Sequence, residues 1–184
     1  LGDLRSGDRV RLDSFAFDGD PLSAHGLAFE EVNVASPLGG FPAWFVSGHR
    51  DTWAVMTHGK GADRRETLRL LPVLAELGIP ALAITYRNDE GCPPAPGGLY
   101  TYGRDEWEEL DGAVRYALDR GARNILIVGY SMGGAVALRV AIRHPEVVRK
   151  LVLISVGYTL GGIHPGLMDG LGEMQPEMMH GSMW

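Results

Sequence analysis

The middle of the chain alternates between two hydrophobic patterns. Short, almost entirely apolar runs are separated by longer segments in which apolar residues recur every three or four positions. The short runs are typical of buried strands, and the wider spacing is typical of amphipathic helices. Strands are therefore predicted at 53–57, 81–85, 125–128 and 151–154, and helices at 63–77, 107–118 and 132–143. Asp63 can cap the first helix, and Gly78 and Gly121 can end the first two.

An antiparallel hairpin is predicted before the first of these strands. Positions 29–34 alternate between apolar and polar residues, and positions 41–46 are apolar again. The residues between them, Pro37-Leu38-Gly39-Gly40, favour a four-residue loop. Residues 1–26 show no sustained period and are interpreted as an irregular arm.

The order of these elements indicates the fold class. Strands that alternate with helices at this spacing form βαβ crossovers, which lie parallel in one sheet. The strand-like runs are apolar on both faces, as a sheet covered by helices on both sides requires. The sequence therefore predicts an α/β fold, with a mainly parallel sheet of about six strands within residues 27–156. Residues 157–184 are rich in Gly and Met and are interpreted as a cap-like tail.

Composition narrows the classes of function. The chain of 184 residues has a net charge of −6, and 45% of its residues are hydrophobic. This apolar content excludes intrinsic disorder, and the acidic balance argues against nucleic acid as a partner. No run approaches the roughly 20 apolar residues of a membrane span, and the charged first residues leave no room for a signal peptide.

The cysteine content and the spacing of possible metal ligands lead to two further expectations. Cys92 is the only cysteine, so no internal disulfide forms, which fits a reducing compartment. We therefore expect a cytoplasmic protein. No ligand cluster has the spacing of a metal site, so neither a metal nor a cofactor is expected.

The strongest chemical signal is Gly129-Tyr130-Ser131-Met132-Gly133-Gly134. It matches the G-x-S-x-G pattern of a nucleophile elbow, in which a serine lies on a tight turn between a strand and a helix. The predicted strand 125–128 leads into the turn, and a helix rich in small residues follows it. We expect Ser131 to be a nucleophile, the alternative being a bystander serine in a glycine-rich turn.

A second signal follows the strand 53–57. His58-Gly59-Lys60-Gly61 lies where a loop can donate a backbone N–H to an oxyanion. We expect the N–H groups of Lys60 and Met132 to form the oxyanion hole, and His58 to be structural. The alternative is a simple strand-to-helix turn that needs its glycines.

These residues resemble the α/β-hydrolase superfamily in its serine-esterase and lipase-like branches. The resemblance covers residues 27–156. It implies a Ser–acid–His triad and hydrolysis of a small-molecule carboxylic ester through an acyl-enzyme on Ser131. It implies no cofactor. A serine at the elbow argues against the branches that use an aspartate nucleophile, such as epoxide hydrolases.

Two parts of the chain resemble different hydrolase subfamilies. The stretch 50–128, with its motif at 85–91, resembles one subfamily, and the stretch from 131 onward, with motifs at 142–146 and 164–168, resembles another. This suggests two genes joined near the elbow, with the chain stopping inside a cap. The alternative is one ordinary gene with a divergent tail.

The remaining triad members are not identified by the sequence. Only one predicted strand follows Ser131, so the loops that normally carry the acid and the histidine are expected to be missing from a truncated core. His144 is interpreted as a surface residue, and Asp169 with His180 is a surrogate pair in the right chain order. Cys92 is interpreted as a bystander, because a cysteine nucleophile in this superfamily occupies the elbow.

An alternative function is a weakly active or non-catalytic hydrolase-like fragment that self-associates. The apolar run 151–154 would then lie at a sheet edge and invite pairing with a second copy. Exchange of the Met-rich tail is a second route to a homo-oligomer. The same tail is interpreted either as a soft acyl-binding cap or as ordinary core filling.

Overall fold

The structure, a computed structural model, describes residues 5–7, 9 and 15–156. The helices are α1 (Pro21–His25), α2 (Leu71–Glu76), α3 (Trp107–Asp119) and α4 (Met132–Arg143), with 3₁₀ helices at Arg64–Arg69 and Pro96–Gly98. The strands are β1 (Glu30–Ser36), β2 (Gly39–Val46), β3 (Thr52–Thr57), β4 (Ala81–Ile84), β5 (Asn124–Tyr130) and β6 (Val148–Ile154).

Within this part of the chain the strands form one sheet of six, in the order β1-β2-β4-β3-β5-β6. β3, β4, β5 and β6 run parallel, and β1 and β2 are antiparallel additions at one side. Helices α3 and α4 pack on one face through residues such as Leu110 and Val136, and α2 with the 3₁₀ helix covers the other through Leu68 and Leu74. The predicted α/β fold with helices on both faces is confirmed.

The hairpin differs from its prediction in the length of its loop. Ser36 pairs directly with Gly39, so only Pro37 and Leu38 connect the two strands. The predicted four-residue loop is wrong because Gly39 and Gly40 continue the ladder. A Cβ on Gly40 would come within 2.4 Å of the Asn33 side chain, so glycine here allows Asn33 to lie across the hairpin.

The first predicted helix is divided in two. Asp63 caps a 3₁₀ helix, because its carboxylate accepts a hydrogen bond from the Arg65 N–H, and the α-helix begins only at Leu71. Pro72 accounts for the break, since proline has no N–H to continue an earlier helix and disfavours helical backbone before it. Gly78 follows α2 with φ 67°, in agreement with its predicted role as a helix stop.

One short element was missed in the N-terminal arm. Asp20 and Ser23 cap α1 reciprocally, since each side chain accepts a hydrogen bond from the other's backbone N–H. A helix of five residues is too short to show a period, which is why the pattern did not reveal it. The tail 157–184 lies outside the described residues, and the three segment boundaries stay predictions. Among the described helices, none is both long and apolar enough to cross a membrane.

Candidate active site

Ser131 lies on the turn that joins β5 to α4. Its backbone has φ 48° and ψ −120°, a conformation that costs a residue with a side chain about 1–3 kcal/mol. Backbone hydrogen bonds hold the turn. The Ser131 N–H donates to the carbonyl of Ile154 on β6 at 2.8 Å, and the Gly134 N–H donates to the Ser131 carbonyl at 2.9 Å. The side chain is exposed. The strained, outward-facing serine is the geometry that the G-x-S-x-G pattern predicts.

Three glycines allow this turn to pack. A Cβ on Gly129 would lie 2.5 Å from the Gly133 carbonyl oxygen, and one on Gly133 would lie 2.3 Å from the His58 carbonyl oxygen. A Cβ on Gly134 would lie 2.0 Å from the Val156 side chain. Contacts this short are prohibitive, so the glycines at these positions follow from close packing around the elbow.

The loop after β3 lies against the nucleophile. A Cβ placed on Gly59 would stand 3.0 Å from the Ser131 Cβ and 3.4 Å from the Tyr130 carbonyl oxygen. The structure thus brings the two glycine-rich motifs of the sequence together at the carboxyl ends of neighbouring strands. Lys60 follows Gly59 directly, and Met132 is the first residue of α4. Their roles as oxyanion donors stay predictions.

His58 is buried behind this loop and pairs with Asp89. Its Nε2 lies 2.9 Å from the Asp89 Oδ2, and its Nδ1 lies 2.9 Å from the Gly59 carbonyl oxygen. Burial by itself lowers the pKa of His58, but the Asp89 charge and the two hydrogen-bond acceptors outweigh it and raise the pKa above its ordinary value. Both ring nitrogens face acceptors, which is the arrangement that suits a protonated imidazole.

Tyr86 and Glu66 complete the surroundings of the loop. The Tyr86 ring stacks on His58 at 4.3 Å, and its hydroxyl donates to the Gly59 carbonyl at 2.9 Å. The Gly59 N–H donates to the Glu66 Oε2 at 2.8 Å. Sequence reasoning singled out the motif containing Tyr86 and Asp89 as a resemblance and gave neither residue a role. It gave none to Glu66 either.

The sequence profile of the Alpha/beta hydrolase family matches residues 24–182. The chain belongs to this family. The match spans the elbow, the loop after β3 and the sheet that brings them together.

Individual relatives of this alpha/beta hydrolase agree with that placement. An esterase of Pyrococcus furiosus has the same fold, with a TM-score of 0.70 at 18% identity over 88% of this chain and 61% of that chain. An epoxide hydrolase from an endophytic Streptomyces has a TM-score of 0.60 at 25% identity over 80% of this chain and 43% of that one. The chain therefore spans less than two thirds of either structure.

One curated relative matches over a shorter stretch. The 2-hydroxymuconate semialdehyde hydrolase of Pseudomonas sp. (strain CF600) is 47% identical over 53 residues, which are 29% of this chain and 18% of that protein. A match this short identifies a similar segment and carries no activity from one protein to the other.

The long loop 87–103 is fixed by buried carboxylates. Glu106 accepts hydrogen bonds from the N–H groups of Thr101 and Gly103 at 2.6 and 2.7 Å. Arg87 makes a two-point contact with Glu109, at 2.9 and 2.8 Å. These contacts hold the loop at both ends, which the high Pro and Gly content alone did not predict.

The same loop reaches the elbow through Tyr100, next to its second anchored end. Its side chain packs with Met132 and Tyr86, and the Lys60 Nζ lies 5.9 Å from the centre of its ring. Burial, with the nearby charges of Asp89 and Glu106, raises the pKa of Tyr100 to about 12. Tyr100 is therefore a neutral phenol at physiological pH and an apolar neighbour of the oxyanion loop.

The histidines in the described part of the chain all contact groups other than Ser131. His25 Nε2 lies 2.9 Å from the Leu68 carbonyl oxygen, and the His49 ring packs against Gly78. His144 pairs with Asp111 at 2.5 Å, and its side chain is 26% exposed at the end of α4, in agreement with its interpretation as a surface residue. It follows a helix of 12 residues, about 18 Å along the axis from Ser131. The predicted pair Asp169 and His180 lies outside the described residues.

Cys92 has the character of a poor nucleophile. Its side chain is half-buried, and burial raises the pKa of its thiol. A raised pKa lowers the thiolate fraction at neutral pH, and the thiolate is the reactive form. This favours the serine at the elbow over the cysteine in the long loop.

Proposed function

We propose that the chain is a serine hydrolase that cleaves carboxylic esters through an acyl-enzyme on Ser131. The observation that carries the proposal is the pairing of a strained, exposed serine with the Gly59 loop directly beside it. A serine held in this conformation costs stability, and such strain is retained where the exposed hydroxyl is used. The esterase fold of the Pyrococcus furiosus structure supports the same class of reaction.

In the proposed reaction the Ser131 Oγ attacks the ester carbonyl carbon, and its proton passes to a general base. The carbonyl oxygen becomes an oxyanion and accepts hydrogen bonds from the backbone N–H groups of Lys60 and Met132. Collapse of this intermediate breaks the carbon–oxygen bond of the alcohol, which takes the proton from the base. Water then attacks the acylated Ser131 with help from the same base and releases the carboxylic acid.

No described histidine is placed to act as the base. The described histidines, His25, His49, His58 and His144, all face partners other than Ser131. His164 and His180 are the remaining histidines of the sequence. Asp169 and His180 stay the predicted surrogate acid and base, and alanine at His144 is expected to leave turnover intact.

The proposal is tested with p-nitrophenyl acetate. The wild-type chain is compared with Ser131→Ala and with Ser155→Ala, a control that removes another exposed serine of positive φ, 56°, at the end of β6. Turnover that disappears in Ser131→Ala and persists in Ser155→Ala supports the proposal. Equal release of p-nitrophenol in all three would contradict it.

A second candidate is a hydrolase-like fragment without catalysis. It is favoured by one observation, namely that every described histidine is engaged away from Ser131. A serine without a base is a weak nucleophile, although an oxyanion hole retains part of the rate. If the wild-type chain releases p-nitrophenol no faster than Ser131→Ala, this candidate replaces the first.

A further inference from the structure

We propose that Tyr86, His58 and Glu66 are positioning residues, which together hold the Gly59–Lys60 peptide so that the Lys60 N–H is aimed out of the core and into the site beside Ser131. The inference rests on the proposed function and deepens it. It assigns a task to a set of contacts behind the loop that the reaction itself does not use. It also explains why a tyrosine and a glutamate both bind the backbone of Gly59.

The direction of the Lys60 N–H follows from the position of the Gly59 carbonyl. No cis peptide bond occurs in the described part of the chain, so the C=O of Gly59 and the N–H of Lys60 point in opposite directions from one planar unit. The carbonyl oxygen points inward, because the Tyr86 hydroxyl and the His58 Nδ1 both lie 2.9 Å from it. The N–H of Lys60 therefore points the other way.

The outward side of this peptide is the nucleophile's side. A Cβ on Gly59 would stand 3.0 Å from the Ser131 Cβ, so the chain at residue 59 passes directly over the elbow. Two donors on one carbonyl oxygen also polarise the peptide, because hydrogen bonds in a chain strengthen one another. The Lys60 N–H becomes a better donor than an unpolarised amide.

Glu66 prevents the loop from turning over. It accepts the Gly59 N–H at 2.8 Å, from the preceding peptide unit, so both sides of Gly59 are held. Glycine has the freest backbone of any residue, and here it allows a close approach, because a Cβ would stand 3.0 Å from the Ser131 Cβ. The contacts of Tyr86, His58 and Glu66 thus restrict the backbone of Gly59, which would otherwise be flexible.

Asp89 supports this arrangement from behind. Its Oδ2 accepts from the His58 Nε2 at 2.9 Å and from the Tyr86 N–H at 2.8 Å. One carboxylate therefore fixes both the imidazole and the backbone of the tyrosine that contact the Gly59 carbonyl. The ring of Tyr86 also stacks on the same imidazole, with 4.3 Å between the ring centres.

The first test removes a single oxygen atom. Tyr86→Phe deletes the hydroxyl and keeps the ring that stacks on His58. Because an oxyanion donor acts in the transition state, we expect kcat and kcat/KM for p-nitrophenyl acetate to fall together, by about 10-fold. Tyr116→Phe is the matched control, since the Tyr116 hydroxyl is buried on α3 without a hydrogen-bond partner among the described residues. Unchanged kcat in Tyr86→Phe would overturn the proposal.

The second test uses rescue by a conservative variant. Glu66→Leu removes the acceptor for the Gly59 N–H, whereas Glu66→Gln keeps a side-chain oxygen in its place. We expect kcat to fall in Glu66→Leu and to be largely restored in Glu66→Gln. Equal losses in both variants would show that the charge matters instead of the accepted hydrogen bond, and would overturn the positioning role of Glu66.

A third measurement separates the positioning proposal from the proposed function. Amide NMR of the full chain reports the Lys60 N–H without any turnover. Tyr86→Phe is expected to shift the Lys60 amide resonance, and Tyr116→Phe is expected to leave it in place. A shift without Ser131-dependent turnover would retain the positioning and reject the reaction. An unshifted resonance would reject the positioning whatever the turnover.

Discussion

Gly59 and Ser131 approach each other so closely that a Cβ on Gly59 would stand 3.0 Å from the Ser131 Cβ. Gly59→Ala is therefore expected to push the strained turn by a few tenths of an ångström and to slow acylation. A displacement of this size matters because the reacting atoms must be held within close limits. The measurement is the rate of reaction with a fluorophosphonate probe.

Gly121→Ala is the control for this prediction. Gly121 has φ 99° and open space around its Cα, so alanine there strains the backbone without touching the elbow. We expect a loss of about 1 kcal/mol in the free energy of unfolding and an unchanged labelling rate. If Gly59→Ala labelled as fast as Gly121→Ala, the contact with Ser131 would have no part in the reaction.

The strained backbone of Ser131 predicts that the inactive variant Ser131→Gly is more stable than the inactive variant Ser131→Ala. With φ 48°, the serine has a strained conformation that glycine adopts freely. Ser131→Gly is expected to unfold with a free energy about 1 kcal/mol higher than Ser131→Ala, because only glycine relieves the strain. Chemical denaturation of the two inactive variants measures this difference. Equal stability of the two would show that the turn stores no strain.

The His58–Asp89 pair predicts how stability changes with pH. The folded-state pKa of His58 is raised above its ordinary value of 6.5, so the protonated ring stabilises the fold. That contribution is complete below pH 6.5 and is lost as the pH rises through the raised value. The groups that face the ring are Asp89, Asp63 and the neutral phenol of Tyr86. Denaturation midpoints measured from pH 6 to about 9 test the decline.

Asp89→Asn separates charge from hydrogen bonding in this pair. Asp89 accepts its two hydrogen bonds on Oδ2, and its Oδ1 has no partner among the described residues, so an amide can keep both contacts without the charge. Loss of the Asp89 charge removes the largest influence that raises the His58 pKa against the effect of burial, so we expect the decline to weaken or disappear. Asp105→Asn, which removes a carboxylate beside the exposed Arg104, should leave the decline unchanged. An unchanged decline in Asp89→Asn would assign it to another group.

The last prediction concerns association. β6 ends the described sheet, and Val152 on it is 41% exposed. We propose that a second copy pairs with this edge, and that Val152→Lys lowers the sedimentation coefficient of the wild-type assembly. Val73→Lys is the control, because Val73 is 52% exposed on α2, away from this edge. A wild-type chain that sediments as a monomer would contradict the proposal.

The elements around the nucleophile could be predicted from the sequence because their signals are local. The run 125–128 and the glycines around Ser131 specify a strand, a turn and a helix in direct succession, and α4 has the predicted bounds. The break at Pro72 was missed because a leucine period continues across it. The sheet could be predicted because each of its parallel strands is a separate apolar run in the sequence.

The contacts behind the oxyanion loop could not be predicted in the same way. His58 and Asp89 are 31 residues apart, and only the packing of β3 beside β4 brings them together. Glu66 reads in the sequence as an ordinary exposed residue of a helix. Its role depends on a backbone N–H, which has no sequence signature. The predicted joining of two subfamilies near the elbow stays a prediction.

The most direct measurement is the site of covalent labelling. The full chain is incubated with a fluorophosphonate, and the adduct is located by mass spectrometry of its peptides. The proposed function predicts one adduct on Ser131 that is absent from Ser131→Ala and retained in Ser155→Ala. An unlabelled wild-type chain, or an adduct on another residue that persists in Ser131→Ala, would contradict it.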